Sequence, residues 1–451
     1  MSKHSHDPPT KPEPPQLAYV FERFPTFTQT FCVREILELD RQGLRPLLFS
    51  IHDTRDEPLE DHFPPELIDR VHFLPPEKEL VEVVTAMKDA DQLPQEIVLT
   101  LRHWHGAPDK MRIYEAAYIG MRMRAAGVWH AHTHFAGLGA RTCWWLKQFF
   151  GLQFSFTGHA NDIFEESGCE LSLARLMEGA AMVVTVSDYT AKFLIGRFPD
   201  EARKVKRVYN GLDLKPFAEA RGGEKGAPPI LLSVGRLIEK KGFDDLIRSC
   251  ATMWESGDGV FQCVIVGDGP MEAELSALIA DLGVGDLVSM VGARSQKEIV
   301  ELLGRAQIFV LPCVTEKNGG KDNLPTVIME AMAAGLPCVS TRLAGVPEMV
   351  IDGETGLLVD ERCPKEFAAA VSRLLGDAEM RQRMGAAGER RAREVFNQAV
   401  TAGSLREYLR ECHAFGTIGK FRNWLGRLRK RPVSRYAQAE REARRQRKGS
   451  G

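Results

Sequence analysis

The strongest constraint on this chain is an alternation that runs twice. Short apolar runs rich in Val, Ile, Leu and Phe take turns with segments of helical periodicity, which is the pattern of an α/β fold with parallel sheets. The first series holds LAYVF (Leu17–Phe21), RPLLFSI, VWHAHTH, LQFSFT and MVVTVS. Helices are expected between them, one ending near Gly43 and others at about 110–126, 137–149 and 188–197. The connector RGGEKGAPP (Arg221–Pro229) interrupts the pattern, being rich in Gly, Pro and charge. The alternation then restarts with ILLSVGR, FQCVIVGDGP, DLVSMVG, QIFVLP and LPCVST. Runs this uniformly apolar suit strands buried on both faces. Two Rossmann-like domains follow, at 16–215 and 216–400, with a disordered leader at 1–15, C-terminal helices at 401–430 and a basic tail at 431–451.

The bulk numbers agree. A chain of 451 residues exceeds what one ordinary core organises. Its 44% hydrophobic and 27% charged content is that of a soluble globular protein. Nine cysteines without a CxxC pair read as reduced, buried thiols of a cytoplasmic protein. The polar, Pro-rich start is no secretory signal, and no 18-residue apolar run suggests a membrane span. Charge is uneven: residues 417–451 carry 12 Lys/Arg against 2 Asp/Glu, so with a net charge of −2 the remainder stands at −12.

Chemistry concentrates after the second series begins. SVGRLIEKKGFDDLI puts Gly235 and Arg236 at a strand end and Lys241 before a helix. Ligands of open α/β sheets bind at such ends, and two cations there suit a diphosphate; a solvated turn is the plainer alternative. VGDGP lacks the third glycine of a dinucleotide fingerprint and reads more simply as a tight turn, which argues against an NAD-dependent dehydrogenase. In NGGKDNLPTVIMEAMAAGLPCVST, Pro325 is expected at the first helical position, leaving Asp322 in a loop and Glu330 near the second helical turn. Amides around Asn323 and Thr326 would face an anion at the positive helix end. Glu330 sits among Met329, Ala331 and Met332, so its carboxylate needs a partner.

Together these segments resemble the C-terminal domain of the family-4 glycosyltransferases, retaining enzymes of the GT-B fold. The resemblance implies two Rossmann-like domains facing across a cleft, with C-terminal helices crossing back to the first. It implies Arg236 and Lys241 on the nucleotide diphosphate, beside Gly235, and Glu330 on the ribose. Asp322 would meet the donor sugar, and the amides of Asn323 and Leu324 the sugar and phosphates. Two residues depart from the usual motif: Asp322 stands for Glu, and Asn323 for Gly.

In the first half, His130, His132 and His134 alternate, so all three share one strand face. Adjacent strand ligands splay apart, so no metal site is expected. His134, at the strand end, is an acceptor-side candidate. SFTGHANDIF resembles the family's FTxHxxD stretch, which makes His159 a catalytic candidate with Asp322, Arg236 and Lys241, and adds Asp162 on the acceptor side. The opening VFERFPTFTQTFCVREILELDRQG is similar to that of the colanic-acid and amylovoran exopolysaccharide glycosyltransferases. Thr28 falls where that subgroup has its S-E-T, and Arg34 and Glu35 follow as residues facing solvent or pairing with neighbours. VYNGLDL (Val208–Leu214) resembles the family's interdomain hinge.

The expected activity is a retaining, metal-independent hexosyltransferase reaction from a UDP- or GDP-linked sugar to a glycan or lipid-linked acceptor, with no cofactor. A noncatalytic nucleotide-sugar-binding protein of polysaccharide assembly is the main alternative, and a GT-B epimerase a lesser one. In the tail, Phe421, Trp424, Leu425 and Leu428 form one apolar helical face ringed by cations, suited to an anionic membrane surface. A helix returning to the first domain explains it equally, and no nucleic-acid motif stands beside it.

Overall fold

Two all-parallel sheets organise the chain. A computed structural model describes residues 17–26, 29–56, 63–104, 109–159, 161–164, 171–220, 227–258 and 260–427, with side chains described up to 412 apart from Asn161. Among these residues the first sheet has seven strands: β1 (Leu17–Arg23), β2 (Leu47–His52), β3 (Val71–Phe73), β4 (His130–His134), β5 (Gln153–Gly158), β6 (Met182–Thr185) and β7 (Val205–Arg207). Their order is β3-β2-β1-β4-β5-β6-β7. The second has six: β8 (Ile230–Val234), β9 (Gln262–Val266), β10 (Val288–Met290), β11 (Ile308–Leu311), β12 (Cys338–Thr341) and β13 (Gly356–Val359), ordered β10-β9-β8-β11-β12-β13. Each sheet has its own apolar core. Three of these strands, β3, β7 and β13, are absent from the alternation read in the sequence.

Winding direction reverses between β1 and β4 in the first sheet and between β8 and β11 in the second. Such reversals open a crevice beyond the carboxyl ends of the strands, because the crossing segments leave in opposite directions. The segments that carry the candidate chemistry start there: the helix Thr30–Arg41 after β1, the loop after β4, Gly235–Lys241 after β8 and the Asp322 loop after β11. Thr30–Arg41 is held by Cys32, Val33, Ile36 and Leu39, an apolar stripe at helical spacing that is almost fully buried.

The segment after β7 ties the two halves together. Leu212 exchanges backbone hydrogen bonds with the other end of the second domain: its amide donates to Phe396 O at 2.8 Å, and its carbonyl accepts from Gln398 N at 2.9 Å. From there the helix Gln398–Arg427 begins. Gln42 donates to Ala399 O at 2.9 Å and Arg406 to Gln42 O at 2.9 Å, so this helix does cross back to the first domain at its start. Phe421, Trp424, Leu425, Leu428 and the basic tail lie outside the residues whose side chains are described.

Gly242 shows why one glycine is required. Its φ is +67°, it precedes the helix Phe243–Ser256, and a Cβ there would stand 1.9 Å from Pro312 O. Gly242→Ala therefore should cost about 2 kcal/mol or more and lower the thermal midpoint of the second domain. A midpoint unchanged within a degree or so would remove the steric argument.

Candidate functional site

The loops after β8 and β11 bring Lys241 and Asp322 together. The Lys241 ammonium donates to Asp322 Oδ2, and both side chains are mostly buried. Burial pulls the Lys241 pKa down, but Asp322, Cys313 and Glu330 more than offset it, so the net value is raised. The Lys241 stem lies over Gly235, where a Cβ would meet its Cε at 3.2 Å. Arg236 is exposed and makes no ion pair or side-chain hydrogen bond with a described residue. VGDGP is a packing turn: a Cβ on Gly267 would come within 1.9 Å of Gly235 O, so its glycines let the β9 loop pass under the Arg236 loop.

Asp322 is in a loop and Glu330 on the helix Thr326–Ala333, as the proline suggested, but Pro325 caps that helix rather than occupying its first turn. Its ψ of 105° is extended, so the chain turns helical one residue later. The amides of Asn323 and Leu324 donate to no other group among the described residues. Glu330 is held above the usual carboxylate range by burial, opposed by the charges of Arg34 and Lys241. Arg34 comes from the first domain and donates from Nε to Gly211 O at 3.1 Å, in the hinge. Read in the sequence as facing solvent or pairing with neighbours, it is the first domain's contribution to the Glu330 environment.

Asn323 crosses the cleft. It is 5% exposed. Its Nδ2 donates to His159 O at 3.0 Å and to Thr190 Oγ1 at 2.8 Å, while its Oδ1 accepts from Ser187 Oγ at 2.8 Å. Next to it, Glu348 accepts from the amides of Asp188 and Tyr189, both at 2.7 Å, and from the Tyr209 hydroxyl at 3.1 Å. A carboxylate there meets the free amides and positive end of the helix Asp188–Arg197. Ser187, Thr190 and Glu348 went unnoticed in the sequence. S-D-Y-T before a helix is a capping signal, but nothing local says that the other domain supplies half of the cap.

The histidines of β4 are buried and committed to neighbours. Ser155 Oγ lies 2.7 Å from His130 Nε2 and from His132 Nδ1, and His132 Nε2 lies 3.0 Å from Thr157 Oγ1. His134, with only 1% of its side chain exposed, does not itself reach the cleft. Its Nε2 is 3.0 Å from Glu35 Oε1 and its Nδ1 3.1 Å from His159 Nε2. Glu35, His132 and His134 present ligand atoms within 4.8 Å of one another, a set that could take a metal ion. In this arrangement each is occupied by hydrogen bonds instead. Asp162 turns to backbone, accepting from the amides of His159 at 3.0 Å and Ala136 at 2.9 Å, so it shapes the His159 loop. Thr28 lies outside the described residues.

Two outcomes follow. Burial, then the neighbouring His134, holds the His132 and His159 pKa values well below the ordinary value. Their folded values lie below the unfolded ones, so the stability they contribute is present above about pH 6.5 and is lost as pH falls from there. By ¹⁵N NMR both rings should stay neutral at pH 6, where an exposed histidine is roughly three-quarters protonated; ordinary titration would contradict the burial account. Asn323→Gly removes three buried hydrogen bonds, about 3 kcal/mol of closure at roughly 1 kcal/mol each. The variant should show a larger radius of gyration by X-ray scattering, and an unchanged radius would mean closure does not depend on this side chain.

Comparison with known proteins meets this geometry. Residues 215–391 match the family model described as "Glycosyl transferases group 1". The chain is 28% identical over 418 residues to the amylovoran biosynthesis glycosyltransferase AmsK of Erwinia amylovora, covering 87% of this chain and 99% of that one. It is 35% identical over 215 residues to the putative colanic acid biosynthesis glycosyltransferase WcaL of Escherichia coli K12, covering 47% of this chain and about half, 52%, of that protein. The crystal structure of Anabaena Alr3699/HepE in complex with UDP and glucose superimposes with a TM-score of 0.60 at 18% identity, over 88% of this chain and 99% of that one, and so shares the fold. Among the described residues no helix is long and apolar enough to cross a membrane. With two parallel sheets meeting at their switch points, the chain has the GT-B fold, carries a group 1 glycosyltransferase domain over residues 215–391, and is similar along most of its length to a glycosyltransferase of exopolysaccharide biosynthesis.

Proposed function

We propose that the protein transfers a sugar from a UDP- or GDP-linked donor to a hydroxyl of a glycan or lipid-linked acceptor, with retention of anomeric configuration. One observation carries the donor assignment. Lys241, the exposed Arg236 and the unspent amides of Asn323 and Leu324 gather at the switch point of the second sheet, beside Asp322. A diphosphate in that position exchanges with Asp322 for the Lys241 ammonium, which frees the carboxylate for a sugar hydroxyl. Glu330 then has the ribose hydroxyls within its remit. The UDP named in the HepE complex supports the uridine form of the donor.

The reaction balances without a protein nucleophile. The bond from the anomeric carbon to the diphosphate oxygen breaks, the acceptor oxygen bonds to that carbon on the same face, and its proton passes to the departing phosphate. Arg236, Lys241 and the loop amides supply fixed positive potential where this charge develops. That supports turnover without a bound metal ion, so the rate should be unchanged by EDTA; loss of activity restored by a divalent ion would overturn it. Closure of the two domains limits donor hydrolysis.

Arg236→Ala and Lys241→Ala should each weaken nucleotide-sugar binding by calorimetry roughly 10- to 100-fold, the scale of a lost charged hydrogen bond. Glu330→Gln should weaken UDP or GDP binding in the same assay. Unchanged affinities would move the diphosphate or ribose elsewhere. A panel of donors screened by thermal shift identifies base and sugar, since bound donor stabilises the fold by mass action. Binding without transfer or hydrolysis of any donor would favour the noncatalytic reading, and Asp322→Glu tests whether the shorter acid sets the donor.

The basic segment 417–451, at net +10, supports a cytoplasmic protein held peripherally on an anionic membrane face. Deleting it should abolish co-sedimentation with anionic vesicles; equal sedimentation would end that proposal.

A further inference from the structure

Glu35 is the one carboxylate among the described residues hydrogen-bonded to a ring nitrogen of the pair His134 and His159. Its Oε1 accepts from the Tyr19 hydroxyl at 2.6 Å and lies 3.0 Å from His134 Nε2. A carboxylate offers only lone pairs to these groups, so His134 carries its proton on Nε2. In that tautomer His134 Nδ1 is bare, and His159 Nε2, 3.1 Å away, donates to it. That leaves Nδ1 of His159 as a lone pair. It has no partner in the chain among the described residues, and His159 is partly exposed.

The surroundings hold this ring in one pose. Phe31 and Phe135 pack against it with centroids at 4.7 and 4.5 Å. Phe135 sits at φ +70°, a left-handed conformation that costs about 1 kcal/mol or more for such a residue, and it is anchored there by its amide on Thr157 O at 2.7 Å. The His159 backbone is gripped on both sides: Asp162 takes its amide, and Asn323, the neighbour of Asp322, binds its carbonyl from across the cleft. His159 therefore stands beside the donor loop.

We propose that Glu35 is a positioning residue for sugar transfer: through His134 it fixes the tautomer of His159 and presents the bare Nδ1 of His159 to a carbohydrate hydroxyl in the cleft. This rests on the transferase reading above. No net proton transfer is involved; the chain Tyr19–Glu35–His134–His159 sets which atom accepts a hydrogen bond.

The test uses the full-length chain with ¹⁵N-labelled histidine. In the wild type both His134 and His159 should appear as Nε2–H tautomers, and in Glu35→Ala as mixtures. Glu35→Gln, whose amide oxygen still accepts from His134, should keep them. Glu35→Ala should lower kcat about 10- to 100-fold, the usual loss for a removed orienting partner, with nucleotide affinity within about twofold and with Glu35→Gln restoring most of the rate. A loss confined to transfer, with donor hydrolysis in water intact, assigns the hydroxyl to the acceptor; a loss in both assigns it to the donor sugar. An Nδ1–H tautomer at His159 in the wild type, or Glu35→Ala with tautomers and kcat unchanged, would overturn the proposal. So would nucleotide affinity falling in step with kcat. If Glu35→Ala does not fold, the wild-type spectrum and Glu35→Gln still decide. Fixed tautomers in a wild type that turns over no nucleotide sugar would sink the donor assignment and the catalytic use of the chain together, a failure the spectrum separates from a failure of the geometry.

Discussion

Closure across the cleft rests on a buried carboxamide. Asn323 satisfies its oxygen and both nitrogen protons with first-domain groups, and if it withdrew its carboxamide and the His159 carbonyl would lose these partners, leaving Ser187 and Thr190 only each other. That asymmetry makes the contact nearly all-or-none, because an unmade buried hydrogen bond costs more than a made one contributes. Glu348 adds a charged clasp on the same helix end, itself steadied by Arg391 donating to its carbonyl at 2.6 Å. Where the resembling family has glycine, this chain therefore has a side chain that reads the position of the other domain. It also ties the His159 loop to the Asp322 loop, fixing the two loops against each other.

Charge is handled by pairing within the same architecture. Lys241, Asp322, Glu330 and Arg34 alternate in sign at the switch point of the second sheet, which lets partly buried ions coexist there. In the first domain Arg112 and Thr142 both donate to Glu115, and burial still lifts that carboxyl to about 7. Burial wins there because two partners do not replace the hydration of a carboxylate at full strength.

Much of the fold was legible. Strands such as Ile230–Val234 and Met182–Thr185 are short and apolar or β-favouring, so composition locates them. Val205–Arg207 was not, because an edge strand of three mixed residues has no period to detect. Lys241 was legible through its place between a strand end and a helix, and Asp322 and Glu330 through their spacing about Pro325. Arg34 and Glu35 were not: on an amphipathic helix a charged residue beside the apolar stripe looks the same whether it meets water or another domain. The β4 histidines were placed correctly on one face, yet His134 lies behind His159 rather than in the cleft, since only the neighbouring strand and helix determine what covers a strand end.

By itself, the sequence determined the two α/β halves and the placement of Asp322 in a loop and Glu330 on the helix after it, because strand period, glycine turns and a helix-opening proline are local properties. Tertiary structure alone decided what those residues touch. Asn323 meets Ser187 across 136 positions of chain, Glu348 meets Asp188 across 160, and Glu35 meets His134 across 99. Contacts of that range have no local signature: they come from two sheets each reversing direction at one point, and from a crossing helix that brings those points together.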